Sequence, residues 1–96
     1  KEINLQMIDA YKDGIKALEE GDVIFAAKKF NEAEILYPQS IWASKASLMT
    51  SFAYYSQNYY DDAIYNLKRH LKNYQNYHYL LDSPLKIIAW IRYLEQ

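Results

Sequence analysis

The sequence predicts an all-α fold of helical hairpins repeated in tandem as an α-α superhelix of about five helices. Apolar residues recur three and four positions apart along most of the chain, the spacing that lines one face of a helix. The chain also matches itself at an offset of 37 residues, and a period of that size marks an array of stacked repeats. Only two Gly and two Pro occur among 96 residues, too little turn chemistry for an all-β fold.

In chain order, the first helix carries Ile8, Tyr11, Ile15 and Leu18 on one face and stops at Gly21. Asp22 caps the second, whose apolar row is Phe25, Ala26, Phe30, Ala33 and Tyr37 and which ends at Pro38. Ser40 caps a third helix with Leu48, Phe52 and Tyr55. A fourth follows Asn58 with Ala63, Ile64, Leu67 and Leu71, ending near Tyr74. Asp82 and Ser83 precede Pro84, a residue suited to the first turn of a fifth helix. The expected organisation is a single domain over 1–96. Its repeats span about 4–38 and 40–75, with the first helix of a third at about 82–96.

The offset pairs residues of like size. Gly14 meets Ser51, Ala26 meets Ala63, Phe30 meets Leu67 and Tyr37 meets Tyr74. Gly21 meets Asn58, the two residue types that most readily take a left-handed helix cap. Gly14 with Ala26, and Ser51 with Ala63, are expected to let paired helices approach closely. Phe30 and Leu67 are expected to fill the gap to the next hairpin. Each hairpin then leaves an apolar face that only a neighbour can cover.

The first repeat resembles the tetratricopeptide (TPR) pattern. Gly14, Ala26, Phe30, Ala33 and Pro38 hold its small, small, aromatic, small and proline positions. The second repeat keeps Ala63 and Leu67, but has His70 and Gln75 where the pattern has a small residue and proline. Its period also exceeds the usual 34 or so residues.

From about Tyr11 onward the chain resembles the N-terminal repeats of the BamD family. The resemblance rests on Gly21-Asp22, on Ala26 to Phe30, on Tyr37-Pro38-Gln39-Ser40, on Phe52-Ala53-Tyr54-Tyr55, and on the closing Tyr93-Leu94-Glu95-Gln96. Gln75 and the stretch Asp82-Ser83-Pro84-Leu85 depart from the family pattern. The TPR protein of the Tol–Pal system shares several of these motifs, and a Tol–Pal-type periplasmic adaptor or another TPR interaction module stays open as the alternative.

The BamD resemblance implies a non-catalytic scaffold in outer-membrane protein assembly. Its partners would be BAM complex subunits and unfolded outer-membrane proteins, in the periplasm at the inner leaflet of the outer membrane. It further implies an N-terminal fragment, lacking a signal peptide, a lipidated cysteine that would anchor it to the membrane, and C-terminal repeats.

Several chemistries find no support. The net charge is −1 with both signs interspersed, so there is no basic footprint for nucleic acid. The absence of cysteine removes disulfides, thiolate metal sites and a Cys nucleophile. The two histidines, His70 and His78, fall in no metal-ligand spacing, and no phosphate loop or serine elbow occurs. No catalytic, cofactor or metal site is expected. Lys68, Arg69, His70 and Lys72 read as a solvated, dipole-complementing end of the fourth helix, with Asp61 and Asp62 at its start.

What remains is surface. The first helix of each TPR hairpin lines the groove where ligand peptides usually lie. Carried over by register, the groove positions are Ile8, Tyr11, Ile15 and Leu18, then Lys45, Leu48, Phe52 and Tyr55, then Lys86, Trp90 and Tyr93. An aromatic groove with a few cations suits an extended peptide with aromatic side chains and a carboxylate. The fifth helix is apolar around nearly its whole circumference, which implies self-association of the chain through it.

Overall fold

Helix ends here are set by a few side chains and by left-handed residues, Gly21 and Asn58 within the hairpins and Gln39 between them. In the computed structural model, which describes residues 3–74, the chain forms α1 (Ile3–Glu19), α2 (Val23–Leu36), α3 (Ile41–Ser56) and α4 (Tyr60–Asn73). No strand occurs among the described residues. The expected fifth helix at 82–96, and the self-association attributed to it, lie outside them.

The two hairpin turns are built alike. At the end of α1, Gly21 N–H donates to the Leu18 carbonyl (3.0 Å) and Asp22 N–H to the Ala17 carbonyl (2.9 Å). At the end of α3, Asn58 N–H donates to the Tyr55 carbonyl and Tyr59 N–H to the Tyr54 carbonyl, both at 3.0 Å. This is the Schellman arrangement, which satisfies carbonyls that a helix end would otherwise leave bare. It requires a left-handed residue, and Gly21 (φ 81°) and Asn58 (φ 69°) supply it.

The helix starts differ. Asp22 Oδ1 accepts from Phe25 N–H at 3.2 Å, whereas Tyr59 at the same place in α4 makes no side-chain cap. Tyr59 instead packs edge-on against Tyr54, ring centroids 6.3 Å apart, joining the two residues that the Schellman bond connects. Ser40 serves α3 twice, accepting from Ala43 N–H (3.0 Å) and donating to the Tyr37 carbonyl (2.6 Å).

The extensive packing runs from each helix to the next in the chain. Alanine dominates the interfaces: Ala10, Ala17, Ala26, Ala33, Ala46 and Ala53 are all buried in one cluster with Met7, Val23, Phe30 and Met49. Short side chains bring the backbones together, so one large ring decides the shape of the first hairpin. Phe30 is fully buried, and a methyl group on Gly14 would lie only 2.7–2.9 Å from its ring carbons. Phe30 was expected to fill the gap to the next hairpin. It shares one cluster with Ala46, Met49 and Ala53 of α3, and its ring also lies over Gly14 and against Tyr11 within its own hairpin, where only the bare Cα leaves room for it.

Helix α3 packs on both sides, against α2 and α4, and small residues make that possible. Ser44, Ser47, Thr50 and Ser51 are all fully buried. Thr50 donates to the Ala46 carbonyl (3.2 Å), and Ser51, the counterpart of Gly14, donates across the interface to the Ala63 carbonyl (2.7 Å). The Ser44 and Ser47 hydroxyls make no hydrogen bond.

Two stability outcomes follow. Gly14→Ala gains up to about 1 kcal/mol of helix propensity but overpacks the Phe30 ring at about 1–3 kcal/mol. Chemical denaturation should show net destabilisation, relieved when Phe30→Leu is added. Ser47→Ala removes a buried hydroxyl that makes no bond, and should raise stability by about 1 kcal/mol in the same assay.

Candidate peptide-binding groove

The packing of Phe30 reaches the surface through a chain of rings. Tyr11 on α1 meets Phe30 edge-on at 5.4 Å and Trp42 on α3 edge-on at 5.8 Å. Phe30 cannot shift, so the Tyr11 ring is fixed and in turn fixes Trp42. Together with Ile8, Lys12 and Ile15, these two rings enclose an apolar slot of about 310 Å³. The Lys45 ammonium stands 4.8 Å from the centre of the Trp42 ring, a cation–π distance. Lys12 brings a second cation to the slot. A bulky apolar side chain fits such a slot, and the two lysines favour a neighbouring negative charge.

The register positions named from sequence thus divide. Tyr11 and Ile15 line the slot with Ile8, and Lys45 borders it through Trp42. Leu18 and Phe52 are half-buried against the main core cluster. Leu48 is buried with Leu67, so it serves the interior of the second hairpin. Tyr55 lies at the far end of α3, its ring 5.7 Å from that of Tyr60. Lys86, Trp90 and Tyr93 fall outside the described residues.

Register reading missed Trp42. It lies one turn before Lys45, and its counterpart in the first repeat is Leu5, which is also exposed. Extending each row one turn toward the helix start would have found both.

The basic cluster near the end of α4 is not simply solvated. Lys68 and Lys72 are exposed, but His70 is fully buried. Arg69 reaches across to Glu34 on α2 in a bidentate pair, Nη1 to Oε2 at 3.0 Å and Nη2 to Oε1 at 2.9 Å. Tyr74 donates its hydroxyl to the same carboxylate at 2.5 Å. The hydrogen bonds to Glu34 push the guanidinium pKa still higher, against the opposing effect of burial. Glu34 and Arg69 lie 35 residues apart on different helices, and a reading confined to one helix cannot see their pairing. Asp61 and Asp62 are exposed in the first turn of α4, as expected of anions there.

Among the described residues no group of His, Cys, Asp or Glu could hold a metal ion. None of the described helices is long and apolar enough to cross a membrane.

Consecutive hairpins with Schellman turns, small interface residues and a ring-lined surface slot define a helical-repeat protein of the TPR type. The chain belongs to the YfiO family, described as outer membrane lipoprotein, whose model matches residues 4–81. This is the family that the BamD resemblance anticipated, and it places the chain among proteins associated with the outer membrane. Neither the curated proteins nor the solved structures gave a match.

Burial raises the pKa of the Tyr11 phenol above its ordinary value. Below the unfolded-chain pKa of about 10 both states are protonated and the stabilising packing is fully present. Above it the unfolded chain ionises first, so stability should fall with rising pH through the raised folded value. Tyr11→Phe should flatten this alkaline decline in urea unfolding between about pH 9 and 11.

Proposed function

We propose that this chain is a non-catalytic protein-binding scaffold of outer-membrane protein assembly, whose groove on α1 and α3 receives peptide segments of unfolded β-barrel proteins. The observation that carries this reading is the Tyr11–Trp42 slot with its two lysines. The side chains around it are rings, aliphatics and cations, with no nucleophile paired to a base. Membership in the outer-membrane lipoprotein family supports the setting. It also supports this reading ahead of a Tol–Pal-type adaptor.

In this reading the chain is one domain, with repeats at about 4–38 and 40–75 and a third beginning at about 82–96. It works in the periplasm beside other BAM subunits, held at the inner leaflet of the outer membrane by a lipid anchor. Groove positions Lys86, Trp90 and Tyr93 extend the same surface into the third repeat. The slot takes an aromatic side chain, while Lys12 or Lys45 pairs with a carboxylate close to it. An extended peptide ending in an aromatic residue with a free C-terminus meets both demands.

Fluorescence anisotropy with such a peptide, labelled at its other end, tests the reading. Trp42→Ala should weaken binding by about tenfold or more, as expected for a ring at the centre of an apolar anchor. Lys45→Glu and amidation of the peptide C-terminus should each weaken it by about three- to tenfold. Equal affinity for acid and amide forms would remove the carboxylate role. No binding to the wild-type chain would refute the groove as a receptor.

A further inference from the structure

Helices α2 and α4 form a second cleft, which shares no residue with the slot on α1 and has a volume of about 530 Å³. Its chemistry is different. The charged side chains that line it are Glu34 and Arg69, and they cancel: both carboxylate oxygens meet both terminal guanidinium nitrogens. Tyr74 adds its hydroxyl to the carboxylate, so the pair has little left to offer a ligand. A phosphate, a carboxylate or a metal cation finds no net charge here to attract it.

The cleft offers carboxamides instead. Asn31 on α2 and Asn66 and Asn73 on α4 all line it. The Thr50 hydroxyl shares its one hydrogen between the Ala46 carbonyl and Asn31 Oδ1 (3.4 Å), which leaves the Asn31 amide nitrogen for a ligand. Asn66 uses one N–H on the Asp62 carbonyl (2.8 Å) and keeps its oxygen and second N–H. Carboxamides present a donor and an acceptor side by side, the same pair that a peptide group presents in reverse. Asn66 and Asn73 are two helical turns apart, about 10 Å. Three residues of extended chain span about the same length. Beside them, Ile35 and Tyr65 are 76% and 69% exposed, giving apolar side chains somewhere to rest.

We propose that this cleft binds the backbone of an extended, unfolded polypeptide through the carboxamides of Asn31, Asn66 and Asn73, without selecting its sequence. A saccharide shares the neutral, hydrogen-bonding chemistry. The carboxamide pairs, which match peptide groups in reverse, and the span of extended chain between Asn66 and Asn73 favour a peptide. The proposal does not depend on the α1 groove, since the two sites lie on different helices.

The test uses the 96-residue chain and an end-capped, uncharged decapeptide of Ser, Thr and Gln, which lacks the aromatic side chain and carboxylate suited to the α1 slot. Side-chain amide signals of Asn31, Asn66 and Asn73 are followed by NMR, the Asn31 signal serving where the other two are replaced. The peptide and its scrambled isomer should shift these signals with equal affinity. Methylating alternate backbone nitrogens of the peptide should weaken binding by about tenfold. Asn66→Ala with Asn73→Ala should weaken it by a similar factor while circular dichroism stays unchanged, and Trp42→Ala should have no effect. Unshifted amide signals, unequal affinities of the two isomers, or indifference to N-methylation would overturn the proposal. A stronger response to chitotetraose than to the peptide would also overturn it, in favour of a saccharide site.

Discussion

Phe30 seated over the bare Cα of Gly14 is the contact on which the first hairpin depends. With alanines on either side, α1 and α2 have little else to set their separation, and the ring fills what the short side chains leave. Its edge supports Tyr11, and Tyr11 supports Trp42, so a packing event in the hairpin interior is transmitted to the surface in two aromatic steps. The slot is preorganised for that reason. Each ring loses its freedom to a neighbour that is already fixed, and little ordering remains for a ligand to impose.

The second hairpin reaches the same geometry by other means. Ser51 stands where Gly14 would, and the smaller Leu67 replaces Phe30, so the extra side-chain atoms on one helix are matched by fewer on the other. The serine hydroxyl turns the close approach into a hydrogen bond with the Ala63 carbonyl. Asn58 replaces Gly21 as the left-handed residue, and the Tyr54–Tyr59 ring pair takes the place of the Asp22 cap. Two sequences with little identity thus meet one set of backbone demands. The shared demand is closeness of helices and reversal within a short turn.

Polar groups sort by helix. On α1 and the start of α3, cations border an apolar slot. Between α2 and α4, a closed ion pair sits among neutral amides. The Glu34–Arg69–Tyr74 group ties the two second helices of the hairpins together, with Glu34 largely shielded from water. Such pairs are weak evidence for stability but fix orientation well, because the fork geometry of guanidinium and carboxylate admits few arrangements.

The sequence by itself determined the helices and their turns. Apolar periodicity, Gly21, Asn58, Asp22 and Ser40 act through local backbone geometry, and local geometry is written in local residues. It also determined which positions had to be small, since the 37-residue offset aligns Gly14 with Ser51 and Ala26 with Ala63. Tertiary structure decided which residues of a register row are surface and which are core. Tyr11 and Leu48 are counterparts by the offset, yet one lines the slot and the other is buried with Leu67. Their helices differ in their neighbours: α3 is packed on both sides by α2 and α4, while the extensive packing of α1 is against α2 alone. Periodicity reports that a face is apolar. What covers the face is set by elements distant in the chain, and so were the burial of His70 and the pairing of Arg69 with Glu34.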